Sequence, residues 1–116
     1  STGRFVGGVR GLEETAYQIL LTLAGGEGYG YGIIKGIEQR SGSASAPGTG
    51  ALYLALQRME GEGLIQEAPA RPGDDARRRY YRLSAKGRRR AEQESIHLAV
   101  LVAAARDKKL IVGGAS

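Results

Sequence analysis

Three stretches of helical spacing, a pair of short apolar runs and a last long helical stretch make up the apolar pattern of this chain. Leu12, Ala16, Ile19, Leu20 and Leu23 stand at i, i+4, i+7, i+8 and i+11, which predicts a helix over Leu12–Ala24 with one buried face. Glu13 and Glu14 fall in its first turn, where the helix dipole favours acids, and Gly25 and Gly26 end it. The glycine-dense run Gly25–Gly32 reads as a tight connection, with Tyr29 or Tyr31 plugging the core. A second helix follows over Tyr31–Arg40, with Ile33, Ile34 and Ile37 inward and Lys35, Glu38, Gln39 and Arg40 outward. Ser41–Gly48 is a loop of small residues. Thr49 is then placed to cap a third helix with its hydroxyl. Gly61 and Gly63 stop that helix. Leu64–Glu67 and Arg77–Leu83 read as strands joined by the turn Ala68–Ala76, which holds two prolines, a glycine and two aspartates. Strict alternation would put Arg79, Tyr81 and Leu83 on one face and Arg78, Tyr80 and Arg82 on the other. Ser84 is a good N-cap for a helix running from Ala85 to about Arg106.

The third helix has two unlike faces. At about 100° per residue, Leu52, Ala55, Leu56 and Met59 share one sector, the core stripe. The opposite side carries Gly50, Leu54, Gln57 and Gly61, flanked by Tyr53 and Arg58. A solvated helix face carries Glu and Lys; this one shows no acid before Glu60. Its groups suit base edges, thymine methyls and phosphates. Two helices joined by a loop, the second with such a face, predict a helix-turn-helix with a lengthened turn. A hairpin with arginines near its tip predicts a wing.

Charge sharpens this picture. The chain carries +5 overall, but Arg71–Arg90 holds nine bases against two acids, so that segment carries +7 and the remainder −2. A basic segment next to a candidate reading helix is the electrostatic footprint of nucleic-acid binding. Arg77, Arg78 and Arg79 are the expected phosphate contacts and Gln57 the expected base reader. Leu54 suits a thymine methyl, Tyr53 a phosphate or the wing, and Lys35 the backbone. Arg88, Arg89 and Arg90 lie early in the last helix, against its dipole, either for a polyanion or to pair with Glu92 and Glu94. Further on, Ile96, Leu98, Ala99, Val100, Leu101, Val102 and Ala103 cover more than one stripe. An apolar surface of that size marks a protein interface, and a homodimer built on this helix is the expectation.

Other classes are weakly supported. The chain's 116 residues suffice for one domain. It has no cysteine and one histidine, His97, set in an apolar stretch with no nucleophile near it in sequence, which points to a packed or interface histidine. A thiolate metal site cannot be assembled and a histidine dyad would have to use His97, so no cofactor, metal or catalytic residue is expected, and a reducing, cytoplasmic setting is. No apolar run approaches the ~20 residues of a membrane span. The glycine run lacks the Gly-Lys-Ser/Thr of a phosphate-binding loop. A winged helix used for protein contacts alone, or for RNA, is the competing reading. It would bury Tyr53 and Leu54 on a partner and show little salt dependence.

The runs GYGIIKGIEQRSG (Gly30–Gly42), GALYLALQRMEGEGLI (Gly50–Ile65) and RRRYYRLSAKGRR (Arg77–Arg89) resemble the PadR family of transcriptional regulators. The resemblance spans roughly Leu12–Glu94. It implies a mainly α fold with a small β-hairpin, a winged helix-turn-helix plus a C-terminal dimerisation helix. It also implies a dimeric regulator of double-stranded DNA, usually a repressor, and a small-molecule effector as a further partner. By that resemblance Thr49, Gly50, Tyr53, Gln57 and Arg58 match the reading helix and Arg77–Arg79 the wing. The expected organisation is a flexible arm over 1–11, a DNA-binding domain over 12–83, a dimerisation helix over 84–112 and a tail over 113–116. The chain lacks tryptophan, so a stacking pocket for flat drugs is not expected.

Overall fold

The computed structural model describes residues 13–70, 72–75 and 77–112. The readings made for the arm 1–11, for Leu12, Arg71 and Ala76, and for the tail 113–116 lie outside the described residues. The elements run α1 (Glu14–Ala24), β1 (Gly28–Tyr29), α2 (Gly30–Ser41), a 3₁₀ turn (Ser43–Ser45), α3 (Thr49–Gly61), β2 (Ile65–Ala68), β3 (Tyr80–Leu83) and α4 (Ala85–Asp107).

The three expected apolar stripes meet in one core. Ala16, Ile19, Leu20 and Leu23 of α1 pack with Ile33 and Ile37 of α2 and with Leu52, Ala55, Leu56 and Met59 of α3. Ile34 packs at the margin. A hydrogen-bonded seam sets α1 against α2: Gln18 Nε2 donates to Ser41 Oγ at 2.8 Å, and Arg40 donates to Gln18 Oε1 and, at 3.0 Å, to Thr22 Oγ1. This explains why Gln18, a polar residue, is buried on the helix face next to the core stripe.

Helix ends differ in detail from the expectation. The N-cap of α3 is Gly48, without a side-chain bond, and Thr49 is already the first helical residue. At the other end Gly61 stays helical. Gly63 is the stop, with φ +79, and its N–H donates to the Glu60 carbonyl while Leu64 N–H donates to Met59. That pair of bonds is a Schellman closure, which favours glycine because only it adopts positive φ without strain. The Ser84 cap is present: its hydroxyl accepts from Gly87 N–H at 2.9 Å and donates to the Gly63 carbonyl at 2.5 Å. One serine thus joins the end of α3 to the start of α4.

The sheet holds three strands in the order β1-β3-β2, all antiparallel. The third strand is β1, formed where a plain connection was expected, with Gly28 opposite Tyr81 and Tyr29 opposite Tyr80. Tyr31, offered as a core plug, is 60% exposed instead, and Tyr29 is half-buried against Tyr80, ring centroids 5.4 Å apart. The outer strands shift too. β2 starts one residue later than expected, and β3 begins only at Tyr80, so Arg77–Arg79 lie in the loop before the ladder. Simple alternation fails within β3, because Tyr80 and Tyr81 are both buried, at 5% and 3% exposure. Tyr81 joins the core while Tyr80 sits under Tyr29, so the central strand is covered on both faces.

The last helix, α4, packs its first turns on α1 and β3, burying Gly87, Ala91 and Glu94. Tyr17 and Ser95 hydroxyls bond at 2.6 Å across α1 and α4. Beyond Ser95 the helix leaves the core. Leu98 is half-buried, whereas Ile96, Ala99, Val100, Leu101, Val102 and Ala103 are exposed, as is His97.

Candidate nucleic-acid interface

The side of α3 opposite its core stripe is open. Thr49, Gly50, Gln57 and Arg58 are exposed, with Tyr53 at 46% and Leu54 at 63%. The Tyr53 phenol lies against Gly30, whereas an exposed leucine such as Leu54 on a packed helix loses the roughly 2 kcal/mol that burial would supply. Arg58 sits 3.6 Å from Glu13, at the foot of α1.

The wing loop meets α3 at Tyr53. Tyr53 of α3, Tyr29, Gly30 and Tyr31 around the start of α2, and Arg77, Arg78 and Arg79 line one cleft of about 470 Å³. Tyr53 of α3 and the arginines, 24 or more residues apart in sequence, therefore meet at a single cleft. Gly30 leaves room for the Tyr53 phenol there, since a methyl group would collide with its hydroxyl.

Each wing arginine has a definite seat. Arg77 binds Asp75 through its backbone N–H at 2.9 Å and its guanidinium at 3.2 and 3.1 Å. Those bonds hold the Asp75 carboxyl below its ordinary value. Arg78 lies over the Tyr29 ring, 4.2 Å from its centroid. A hydrogen bond with Tyr80 holds its guanidinium more firmly protonated. Arg79 reaches Glu67 of β2 at 3.4 Å, whose charge acts on it in the same direction. Desolvation raises the Tyr81 phenol, which stays neutral in the core. On α2, Lys35 pairs with Glu38 at 3.2 Å, which raises its ammonium pKa. Of the early α4 arginines, Arg90 meets the buried Glu94 at 3.5 Å, while Arg88 and Arg89 are exposed.

The structure thus brings together Tyr53 and Arg77–Arg79 from the expected set, and leaves Thr49, Gly50, Leu54, Gln57 and Arg58 open on α3. It adds residues that the sequence reading passed over: Tyr29, Gly30 and Tyr31 in the cleft, and Glu13, Glu67 and Asp75 as acid partners. The repeated tyrosines of GYGYG were the available signal for the first group. Among the described residues no group of His, Cys, Asp or Glu could hold a metal ion, and no helix is long and apolar enough to cross a membrane.

Three core helices, a helix pair with an open outer face, and an arginine-bearing hairpin at its edge define a winged helix-turn-helix protein. The sequence profile described as "Transcriptional regulator PadR-like family" matches residues 19–93, more than half of the chain, so the protein belongs to that family of transcriptional regulators. No curated protein sequence matches the chain. Among solved structures it is similar to a PadR family transcription regulator from Clostridium difficile, at 28% identity and TM-score 0.69, covering 80% of this chain and 95% of that one. It is similar to a transcriptional regulator from Clostridium thermocellum at 27% identity and TM-score 0.68, covering 80% and 87%. The fold also matches Bacillus subtilis PadR, solved in complex with operator DNA, at 24% identity and TM-score 0.59, covering 67% of this chain and 44% of that one.

Proposed function

We propose that this regulator acts by binding double-stranded DNA as a homodimer, with α3 in the major groove and the wing along the phosphate backbone. One observation carries the reading: Tyr53 of α3 and Arg77–Arg79 of the wing line the same surface. A groove-inserted helix and a phosphate-bound hairpin must share a side of the molecule to reach one duplex. Membership of a family of transcriptional regulators, and the operator DNA bound by the Bacillus subtilis relative, support it.

Within this reading Gln57 reads a base and Leu54 meets a thymine methyl. Thr49, Gly50, Tyr53 and Arg58 approach the backbone, as does Lys35 from α2. The unit over 12–83 binds DNA, and the helix over 84–112 joins two copies through Ile96, Leu98, Ala99, Val100, Leu101, Val102 and Ala103. Exposure of Val100 and Ile96, at 61% and 67%, favours that interface, because an isolated subunit would leave this row in water. Two reading helices about one helical turn apart, ~34 Å, then select a palindrome. The dimer covers a promoter in the cytoplasm and represses by occlusion. An effector seated between paired α4 helices, against Ile96, Val100 and Ala103, would change that spacing and release the operator.

Selection of bound duplexes from a random pool tests this. Enrichment of a two-fold symmetric sequence with half-sites about ten base pairs apart is expected. Recovery of the unselected pool, with binding indifferent to salt, would instead favour a protein-contact module.

A further inference from the structure

The cleft between the wing and the start of α2 offers more than phosphate contact requires. A DNA backbone needs cations and hydroxyls, whereas three tyrosines, Tyr29, Tyr31 and Tyr53, also line this cleft. Tyr31 is largely exposed, and the Lys35 ammonium stands 5.7 Å from its ring centroid. The Tyr53 phenol lies against Gly30, whose missing side chain makes room for it. The volume, about 470 Å³, suits a small molecule. Aromatic faces beside cations match a planar base joined to a phosphate.

We propose that this cleft binds a free nucleotide, its base against Tyr31 and Tyr53 and its phosphate on Arg78 and the flanking arginines. The glycine run over residues 25–32 takes no part as a phosphate loop, since the anion-binding groups come from the wing. To bind, the phosphate displaces Asp75 from Arg77 or Glu67 from Arg79, the carboxylates that occupy those guanidinium groups in the free protein. Stacking reads no base edge, so adenine and guanine are accepted alike. Because Arg77–Arg79 also face DNA in the reading above, a bound nucleotide competes with the operator. That consequence rests on the DNA reading; the binding itself does not.

Calorimetric titration of the full chain with AMP, in the absence of DNA, tests the site, with adenosine and inorganic phosphate as separate arms. AMP binds saturably, at least about tenfold tighter than either fragment, and GMP binds within about threefold of AMP. Tyr31→Ala and Arg78→Ala, both at exposed positions, each weaken AMP about tenfold while the melting curve stays cooperative. Absence of saturable AMP binding overturns the proposal. So does phosphate binding as tightly as AMP, or AMP binding untouched by both substitutions. If AMP binds as expected but does not displace a bound duplex, the nucleotide site stands and the placement of the wing on DNA falls.

Discussion

The guanidinium of Arg78 rests 4.2 Å from the centre of the Tyr29 ring, and that ring in turn leans on Tyr80 of β3. A residue of the short strand β1 therefore sets where a wing arginine points. Tyr29→Leu removes the ring pair with Tyr80 and should cost about 1 kcal/mol in urea unfolding. It should also weaken DNA binding without removing a charge. In a double-mutant cycle with Arg78→Ala, the two losses in DNA affinity should be strongly non-additive. Simple additivity would mean that Tyr29 does not position the arginine.

Two wing arginines are already engaged by acids, Arg77 by Asp75 and Arg79 by Glu67. Asp75→Asn and Glu67→Gln should each tighten binding to arbitrary duplex roughly two- to fivefold, because phosphate no longer competes with a carboxylate. The pH dependence has a definite sign. The folded Asp75 carboxyl lies below its ordinary value, so its contribution to stability is present above the unfolded value of about 4 and fades as pH falls through the lower folded one. The stability difference between wild type and Asp75→Asn, followed by urea unfolding, should be constant from pH 8 to 5 and vanish in stronger acid. A difference that grows on acidification would contradict the pairing.

Glycines separate fold from function. A methyl group at Gly87 would collide with the backbone carbonyl of Leu64, where no flexible side chain can yield. Gly87→Ala should therefore destabilise by about 3 kcal/mol, read as a lowered urea midpoint. Gly50, on the open side of α3, has nothing within 4 Å of a Cβ. Gly50→Ala should raise stability by about 0.5 kcal/mol and yet weaken DNA binding, if close approach of the helix is what that glycine provides. Unchanged DNA affinity in this variant would remove Gly50 from the interface.

Much of this architecture is readable from spacing alone. The stripe Leu52, Ala55, Leu56 and Met59 is buried as the 3.6-residue period requires, and the remaining face of α3 is open. The misreadings lie where long-range pairing decides. β1 is two residues in a glycine-dense run, and its partner Tyr81 is 53 positions away, so no local pattern marks it. Tyr80 and Tyr81 break alternation because β3 is central and covered on both faces. The acids Glu13 and Glu67 read as a helix start and a strand end, and only the fold brings them to Arg58 and Arg79.

The open row on α4 carries the assembly prediction. Val100→Glu places a charge among Ile96, Leu101 and their counterparts in a second copy. Sedimentation should show the wild type as a dimer and the variant as a monomer, with affinity for a two-half-site operator falling by at least about a hundredfold while the subunit stays folded. A dimeric variant would move the interface elsewhere.

The most direct measurement is a salt titration of Gln57→Ala and Arg78→Ala on the selected operator and on a scrambled duplex. Arg78→Ala should lose affinity for both DNAs alike and lower the salt slope by about one unit per site. Gln57→Ala should lose its preference for the operator with the slope unchanged. If Gln57→Ala retains the wild-type preference and Arg78→Ala the wild-type slope, the face shared by α3 and the wing is not where this protein meets DNA.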